Sequence, residues 1–307
     1  MFFRYFSGLL LITLVVLFLI SRQWPSRETR LIFCDVGQGD AALIVQGSLQ
    51  ILIDGGLDSQ VLSCLDDFVP FWDRTIEVMV ASHPDLDHIG GLQAVLERYQ
   101  VATVFYIPGK VDSQRAQLFQ DSLKSKVELG LTRLILPTVG TQYHFSETIS
   151  FEVINPIVPF SLEKGCFLAP TETHLWDTSA CFDYESEDKN ELSIALNLLL
   201  HSTHILFTGD MGISSELSLL EQGLLHDVDI LKVGHHGSKS STSKEFLEKV
   251  LPETSIISVG KNNRYNHPFP QVMQQLEAIG STVLRTDTLG TLEFLVFEDR
   301  YTVNLPV

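Results

Sequence analysis

The chain has 307 residues, 45% of them hydrophobic, enough for a sizeable core and one large domain. Its formal net charge is −17, and the N-terminal stretch is its basic end, since Arg4, Arg22, Arg27 and Arg30 face only Glu28 there. That sign excludes loose coating of nucleic acid, which needs Lys and Arg against phosphates.

Met1 to Ile20 carries Arg4 as its only charge, and Tyr5 to Ile20 is an unbroken apolar run. It is slightly short of the roughly 20 residues that span a bilayer, unless Phe2 and Phe3 contribute. Ser21-Arg22-Gln23-Trp24-Pro25 lacks a small-x-small cleavage pattern. The run therefore predicts a transmembrane signal-anchor over 1–24, a linker over 25–30 and one domain over 31–307. Taken literally, the arginines place the domain in the cytoplasm, whereas export places it outside. The expectation carried forward is a membrane-anchored, extracytoplasmic domain, with a cleaved signal peptide and secretion as the alternative. Of the four cysteines, Cys34 lies in an apolar run and reads as a buried thiol. Cys166 and Cys181 flank a polar insertion and could pair in an oxidising compartment, a connectivity that sequence alone does not fix.

Leu31–Cys34, Ala41–Val45 and Leu49–Ile53 are short apolar runs joined by Gly-containing turns, which predicts a β-meander. Asp35, Asp40 and Asp54 fall at strand ends. Turn chemistry accounts for Asp35 and Asp40, while Asp54 is the better candidate for holding a neighbouring ligand in place.

The next strand, Ile76 to Ala81, runs into Ser82-His83-Pro84-Asp85-Leu86-Asp87-His88-Ile89-Gly90-Gly91, followed by a helical pattern of Leu92, Val95, Leu96 and Tyr99. His83, Asp85, Asp87 and His88 are metal-ligand types without a thiolate, so they do not suit a closed structural zinc site. In an extended loop His83, Asp85 and Asp87 point to one side and His88 to another, toward a second centre. A strand over 101–108, an amphipathic helix over 113–126 and strands over 134–136 and 149–154 make the chain an α/β protein. Residues 157–191 read as a long loop containing His174, a further possible ligand.

Strands over 193–200 and 204–207 end in Thr208-Gly209-Asp210, and a helix over 215–222 follows. A strand over 227–233 ends in Gly234-His235-His236-Gly237. Asp210, His235 and His236 repeat the earlier pattern of ligand types at a buried strand end beside glycine. Asp210 is suited to bridging two metals for hydrolysis. His201, His204 and His226 sit at turns or edges without paired acids and read as structural or exposed. His267 either donates to a bound oxyanion or caps a helix over 271–279.

The run His83-x-Asp85-x-Asp87-His88-x-Gly90-Gly91, with Thr208-Gly209-Asp210 and His236, resembles the metallo-β-lactamase superfamily. Asp35-Val36-Gly37-Gln38-Gly39-Asp40, Lys232-Val233-Gly234-His235-His236-Gly237-Ser238 and Arg285-Thr286-Asp287 narrow the resemblance to the hydrolase domain of ComEC-type competence proteins. The resemblance covers about residues 31–297 and implies a four-layered αββα sandwich. It implies two divalent metal ions, Zn²⁺ or Mn²⁺, with His83 and Asp85 on the first, Asp87, His88 and His236 on the second, and Asp210 between them. Asp87, His235 and His267 would be catalytic groups, supported from behind by Asp54, Lys232 and Ser193. Asn190-Glu191-Leu192-Ser193 stands where many relatives carry a mid-chain histidine, so the first metal has the weaker ligand set. Tyr265-Asn266-His267-Pro268-Phe269-Pro270 resembles a Tyr-Gly-His-Pro-His-Pro motif with Asn266 for Gly and Phe269 for His.

The resemblance implies a binuclear metal-dependent hydrolase cutting phosphodiesters, with DNA as substrate. The acidic charge keeps open a small or cell-surface phosphodiester, or a non-catalytic binding protein that retains the fold. A single apolar segment cannot form a channel, so a channel would have to be a separate protein.

Overall fold

Leu31, Phe33, Ile44 and Ile51 lie on one face of the first three strands, and Ile32, Leu43 and Leu52 on the other, all fully buried. Strands apolar on both faces must be covered on both faces, and the computed structural model shows how. It describes residues 28–109, 111, 113–157 and 189–305, with residues 5, 8–10 and 13–15.

The meander forms β1 (Thr29–Phe33), β2 (Ala42–Gln46) and β3 (Leu49–Ile53), paired antiparallel with Phe33 opposite Ala42 and Ala42 opposite Ile53. Then come α1 (Val61–Phe68), β4 (Thr75–Val80), α2 (Leu86–Ile89), α3 (Leu92–Arg98), β5 (Gln100–Phe105), α4 (Gln114–Glu128) and β6 (Arg133–Ile135). From β3 to β6 the pairing is parallel, so the C-terminal ends of β3 and β4 open on the same edge. The second sheet comprises β7 (Gln142–His144), β8 (Ile149–Asn155), β9 (Ala195–Leu200), β10 (Thr203–Phe207), β11 (Ile230–Lys232), β12 (Thr254–Ile257) and β13 (Thr282–Arg285). Its helices are α5 (Ile213–Glu221), α6 (Lys244–Val250) and α7 (Pro270–Ala278). After the short α8 (Thr286–Leu289), β14 (Leu292–Val296) and β15 (Tyr301–Asn304) return to the edge of the first sheet beside β1.

The layers follow from the packing. Phe33, Phe105, Phe151, Leu198, Phe207 and Phe294 fill the space between the sheets. Ile32, Leu43, Leu52 and Met79 meet α1, α3 and α4 outside the first sheet. Leu206, Leu231 and Ile257 meet α5, α6 and α7 outside the second. The result is an α/β fold of two sheets between helical layers.

Three expectations change. The stretch from His83 to His88 is not one extended loop. Asp85 is extended (φ −74°, ψ 147°), and α2 begins immediately after it. The period-2 argument thus ends at Asp85, and Asp87 and His88 take their directions from a helical turn. Cys34 is not a free thiol: it bonds Cys64 on α1, with Cα atoms 5.9 Å apart. A buried run concealed the partner because pairing depends on how α1 returns over the sheet. Cys166, Cys181 and His174 lie outside the described residues.

The membrane expectation is overturned as well. Among the described residues no helix is long and apolar enough to cross a bilayer, so the membrane-anchored, extracytoplasmic placement and the N-terminal transmembrane helix are not supported. A span needs about 20 residues of continuous helix as well as apolar composition. Most of residues 1–24 lie outside the described residues.

The disulfide closes a loop of 30 residues in sequence. Replacing both cysteines, Cys34→Ala with Cys64→Ala, is expected to cost about 3–4 kcal/mol, read as a lower denaturant midpoint. An unchanged midpoint would contradict the pairing.

Candidate metal centre

Asp54 follows β3 with φ 60°, and its carboxylate accepts three hydrogen bonds. Ser82 N donates to Oδ1 at 2.7 Å and Ser82 Oγ to Oδ2 at 2.7 Å, while His88 Nδ1 lies 2.8 Å from Oδ2. A carboxylate can only accept, so His88 carries its proton on Nδ1. The Ser82 hydroxyl has spent its hydrogen on Asp54 and must accept from His83 Nδ1, 3.0 Å away. Both histidines therefore present a bare Nε2 to the opposite side.

The second half is built likewise. His236 Nδ1 lies 2.9 Å from the carbonyl of Ser258, which again leaves Nε2 bare. Thr286 Oγ1 bonds both N and O of Val259 and so anchors that carbonyl's strand end. His235 and His236 both have positive φ, 46° and 53°, a conformation disfavoured for residues with a Cβ. It turns the two rings out of the β11 end toward Asp210. Asp210 itself is seated by Ser193, whose Oγ accepts from Asp210 N at 3.1 Å.

At the junction of the halves, Asp210 Oδ1 lies 3.2 Å from His88 Nε2. Its Oδ2 lies 3.9 Å from His83 Nε2, 3.8 Å from His235 Nε2 and 3.7 Å from His236 Nε2. His236 Nε2 is also 3.3 Å from Asp87 Oδ2. Asp85 Oδ2 approaches His83 Nε2 at 3.8 Å, with its side chain 41% exposed. His83, His88 and Asp210 form one set of converging ligand atoms, and Asp87, His88 and His236 another. Asp85 stands beside these sets at the mouth.

Whether cations fit can be judged from the atoms themselves. Nε2 of His83, His88 and His236 and Oδ1 of Asp210 are buried without a hydrogen-bond partner. Buried polar atoms are ordinarily satisfied, and these are lone-pair donors facing one another. Divalent metal ions satisfy all of them, and the N/O donor set suits such ions. The charges point the same way. Burial opposes a proton on His236, but Asp210 and Asp40 raise it to about 10. His88 is likewise raised, by Asp210 and Asp54 against burial. Burial, then His88, pushes His83 down to about 4. Asp87 is held well below the usual carboxylate range, because His236 and His88 outweigh its burial. Burial raises Asp85. With Nδ1 of His88 and His236 engaged, the second proton they hold sits on Nε2, where a divalent ion would displace it, so the pocket draws positive charge.

The profile of the metallo-beta-lactamase superfamily matches residues 34–172. The chain carries a metallo-β-lactamase superfamily domain. Its curated relatives are ComEC-type competence proteins, in agreement with the motifs. It is 27% identical over 290 residues to "ComE operon protein 3" of Bacillus subtilis (strain 168), covering 88% of this chain and 33% of that protein. It is 27% identical over 270 residues to "Recombination protein 2" of Haemophilus influenzae, covering 87% and 29%. The chain thus spans about a third of the length of the curated relatives it matches. Among solved structures, the metallo-beta-lactamase fold protein YhfI of Bacillus subtilis superposes with a TM-score of 0.51 at 12% identity, over 87% of this chain and 99% of that one. The metallo-β-lactamase fold, two sheets and a hydrolase-like cluster of ligands for divalent metal ions describe the domain.

Within this metallo-β-lactamase domain the structure brings His83, Asp87, His88, Asp210 and His236 together, with Asp54, Ser193 and Lys232 behind them. His267 does not cap α7: Phe269 is the N-cap and makes no side-chain cap bond. Its ring faces His235 and His236 at 5.7 and 6.4 Å. His201 Nε2 bonds Thr29 Oγ1 at 2.9 Å, and His204 meets His226, both away from the site. Asp35 does make a turn, accepting from Gly37 N at 3.2 Å.

Asp40 is the residue that turn chemistry concealed. Its Oδ2 lies 2.7 Å from the buried Lys232 Nζ and its Oδ1 3.2 Å from His236 Nδ1. Burial works against its charge, but Lys232 and His236 hold it down at about 2. The available signal was Gly39. At φ +124° its missing Cβ would sit 2.0 Å from Asp87 O, a close approach of the Asp40 loop to the Asp87 ligand turn that only glycine allows.

Two outcomes check this geometry. Asp54→Ala frees both histidine tautomers and should weaken metal affinity about 10–100-fold in a chelator-competition titration, and an unchanged affinity would show that Asp54 does not set the ligand atoms. Lys232→Met leaves Asp40 charged and buried without its cation, and should destabilise the domain by roughly 3–5 kcal/mol in denaturant unfolding. Wild-type stability in that variant would show that the pair does not matter.

Proposed function

We propose that the domain is a binuclear metal-dependent phosphodiesterase that cuts DNA, loaded with Zn²⁺ or Mn²⁺. The observation that carries the reading is Asp210, a single carboxylate whose two oxygens front both ligand sets. His83, Asp85 and Asp210 would hold the first ion, and Asp87, His88, His236 and Asp210 the second. When bound, the ions supply Lewis acidity and an acidified water.

The chain's own residues do the rest. His235, with its side chain 26% exposed, stands at the open side, where it can hand a proton to the departing ester oxygen as the phosphorus bond to it breaks. His267 is pushed down to about 4 by burial and by His236 and His235. It is therefore neutral at physiological pH and available to hydrogen-bond a phosphoryl oxygen. Asp87 and His236 meet at 3.3 Å on the open side as two ligands of the second set, and Asp54, Lys232 and Ser193 keep the ligands from turning away. The charge of −17 favours, as a second reading, a smaller phosphodiester that demands no extended basic track.

The test is hydrolysis of single- and double-stranded DNA, and of a simple phosphodiester, with Mn²⁺ or Zn²⁺. Asp210→Ala is expected to lower the rate on the order of 100-fold or more, the scale at which preorganised charge at a reacting centre acts. Chelation should abolish activity and either metal restore it. No hydrolysis of any of these substrates with any metal would end the phosphodiesterase reading, and hydrolysis confined to the simple ester would favour the second.

A further inference from the structure

The loop from Ser258 to Phe269 stands at the mouth of the metal centre. It is not loosely built. Asn263 Nδ2 donates to the carbonyls of Gly260 and His267 at 3.2 and 2.8 Å, and its Oδ1 accepts from Tyr265 N and His267 N at 3.2 and 3.0 Å. One amide thus ties the loop across its width. At its base Gly260 packs so closely that an added Cβ would lie 2.7 Å from Gln38 N, so the loop rests on the segment that carries Asp40.

What this scaffold presents is a series of rings. His267 lies 6.4 Å from His236 with planes 31° apart. Tyr265 stacks on the outer side of His267 at 5.6 Å and 28°. The rings step outward from a metal ligand to the surface, and the last, Tyr265, is 58% exposed. A large exposed aromatic held rigidly beside a reaction centre offers a stacking face. The loop that carries it also carries basic groups, although the chain is acidic. Lys261 and Arg264 in the same loop are exposed, and the exposed Lys239 has its Nζ 5.9 Å from the Phe269 ring.

We propose that Tyr265, backed by His267, is a subsite for an unpaired nucleobase next to the scissile phosphate, so that the centre takes single-stranded nucleic acid. The proposal rests on the phosphodiesterase reading and narrows its substrate. Stacking on an aromatic face requires a base free of its own neighbours, which a duplex does not offer without unstacking. Lys239, Lys261 and Arg264 would meet the flanking phosphates, a local contribution that survives the overall negative charge. Every base has a π-face, so the subsite prefers single strands without strongly preferring a sequence.

The experiment uses the full chain with Mn²⁺ and a fluorescent single-stranded oligonucleotide, intact or with abasic residues around the cut site. Hydrolysis is followed by steady-state kinetics, and binding by anisotropy on a cleavage-resistant backbone. Tyr265→Ala is expected to raise KM and weaken binding about tenfold, with kcat changed less than about twofold. Tyr265→Phe and Tyr265→Trp should behave like wild type. Abasic substrate should impose the same loss on wild type and no further loss on Tyr265→Ala. Unchanged KM and binding in Tyr265→Ala, equal use of abasic substrate, or tighter binding of duplex would overturn the subsite. Cleavage without dependence on Tyr265 removes the subsite and leaves the phosphodiesterase reading intact. Binding that depends on Tyr265 without cleavage does the reverse.

Discussion

Asp54 takes three hydrogen bonds on one carboxylate, and through them it decides where two imidazoles carry their protons. His88 is set directly and His83 through the Ser82 hydroxyl. The arrangement works because a carboxylate cannot donate and a hydroxyl has one hydrogen to give. Once those directions are set, both Nε2 atoms must face Asp210. A metal centre on this half therefore depends on a residue that never reaches the metals. Its left-handed backbone, φ 60°, is the conformational cost of placing an acceptor at the end of β3 beneath the next strand.

The opposite half uses a different device for the same end. A backbone carbonyl, that of Ser258, takes the place of the carboxylate, and Thr286 pins the chain beside it. Asp40 crosses from the first sheet to lie against Lys232 and His236 of the second. It is a buried ion pair spanning the two sheets, and burial makes such a pair costly to break from either side. The parallel pairing of β3 with β4, of β10 with β11 and of β11 with β12 explains why all these groups meet. Strands that run the same way deliver their C-terminal residues to one edge, where loops are free to carry function.

The exposed basic groups of the loop at the mouth stand against an acidic protein only in bulk terms. Acidic groups converge where cations are needed, the exposed Lys261 and Arg264 belong to the loop at the mouth, and Lys239 lies against its Phe269. Net charge describes long-range attraction. It does not describe a mouth a few residues wide.

Much of this was legible in the residues alone. The alternating and continuous apolar runs of β1 to β5 placed the strands, the amphipathic pattern over 113–126 placed α4, and the His/Asp and Gly-His-His-Gly stretches marked strand ends rich in ligand types. Local chemistry suffices for these, because period, capping and ligand type are properties of neighbours in sequence. The roles of Asp40 and Cys64 were not legible. Each depends on a partner far along the chain, Lys232 and His236 for one and Cys34 for the other, and a turn-forming Asp or an apolar Cys looks the same with or without it. The His83 to His88 stretch shows the division most clearly. Its composition announced a metal centre, but the directions of Asp87 and His88 were decided when α2 began after Asp85, and the choice of Nε2 was decided by Asp54 folding in beneath it. The sequence determined which ligands were present. Which atom each ligand offers was decided by tertiary structure, since a tautomer is set by the hydrogen bond on the other nitrogen and that partner arrives only on folding.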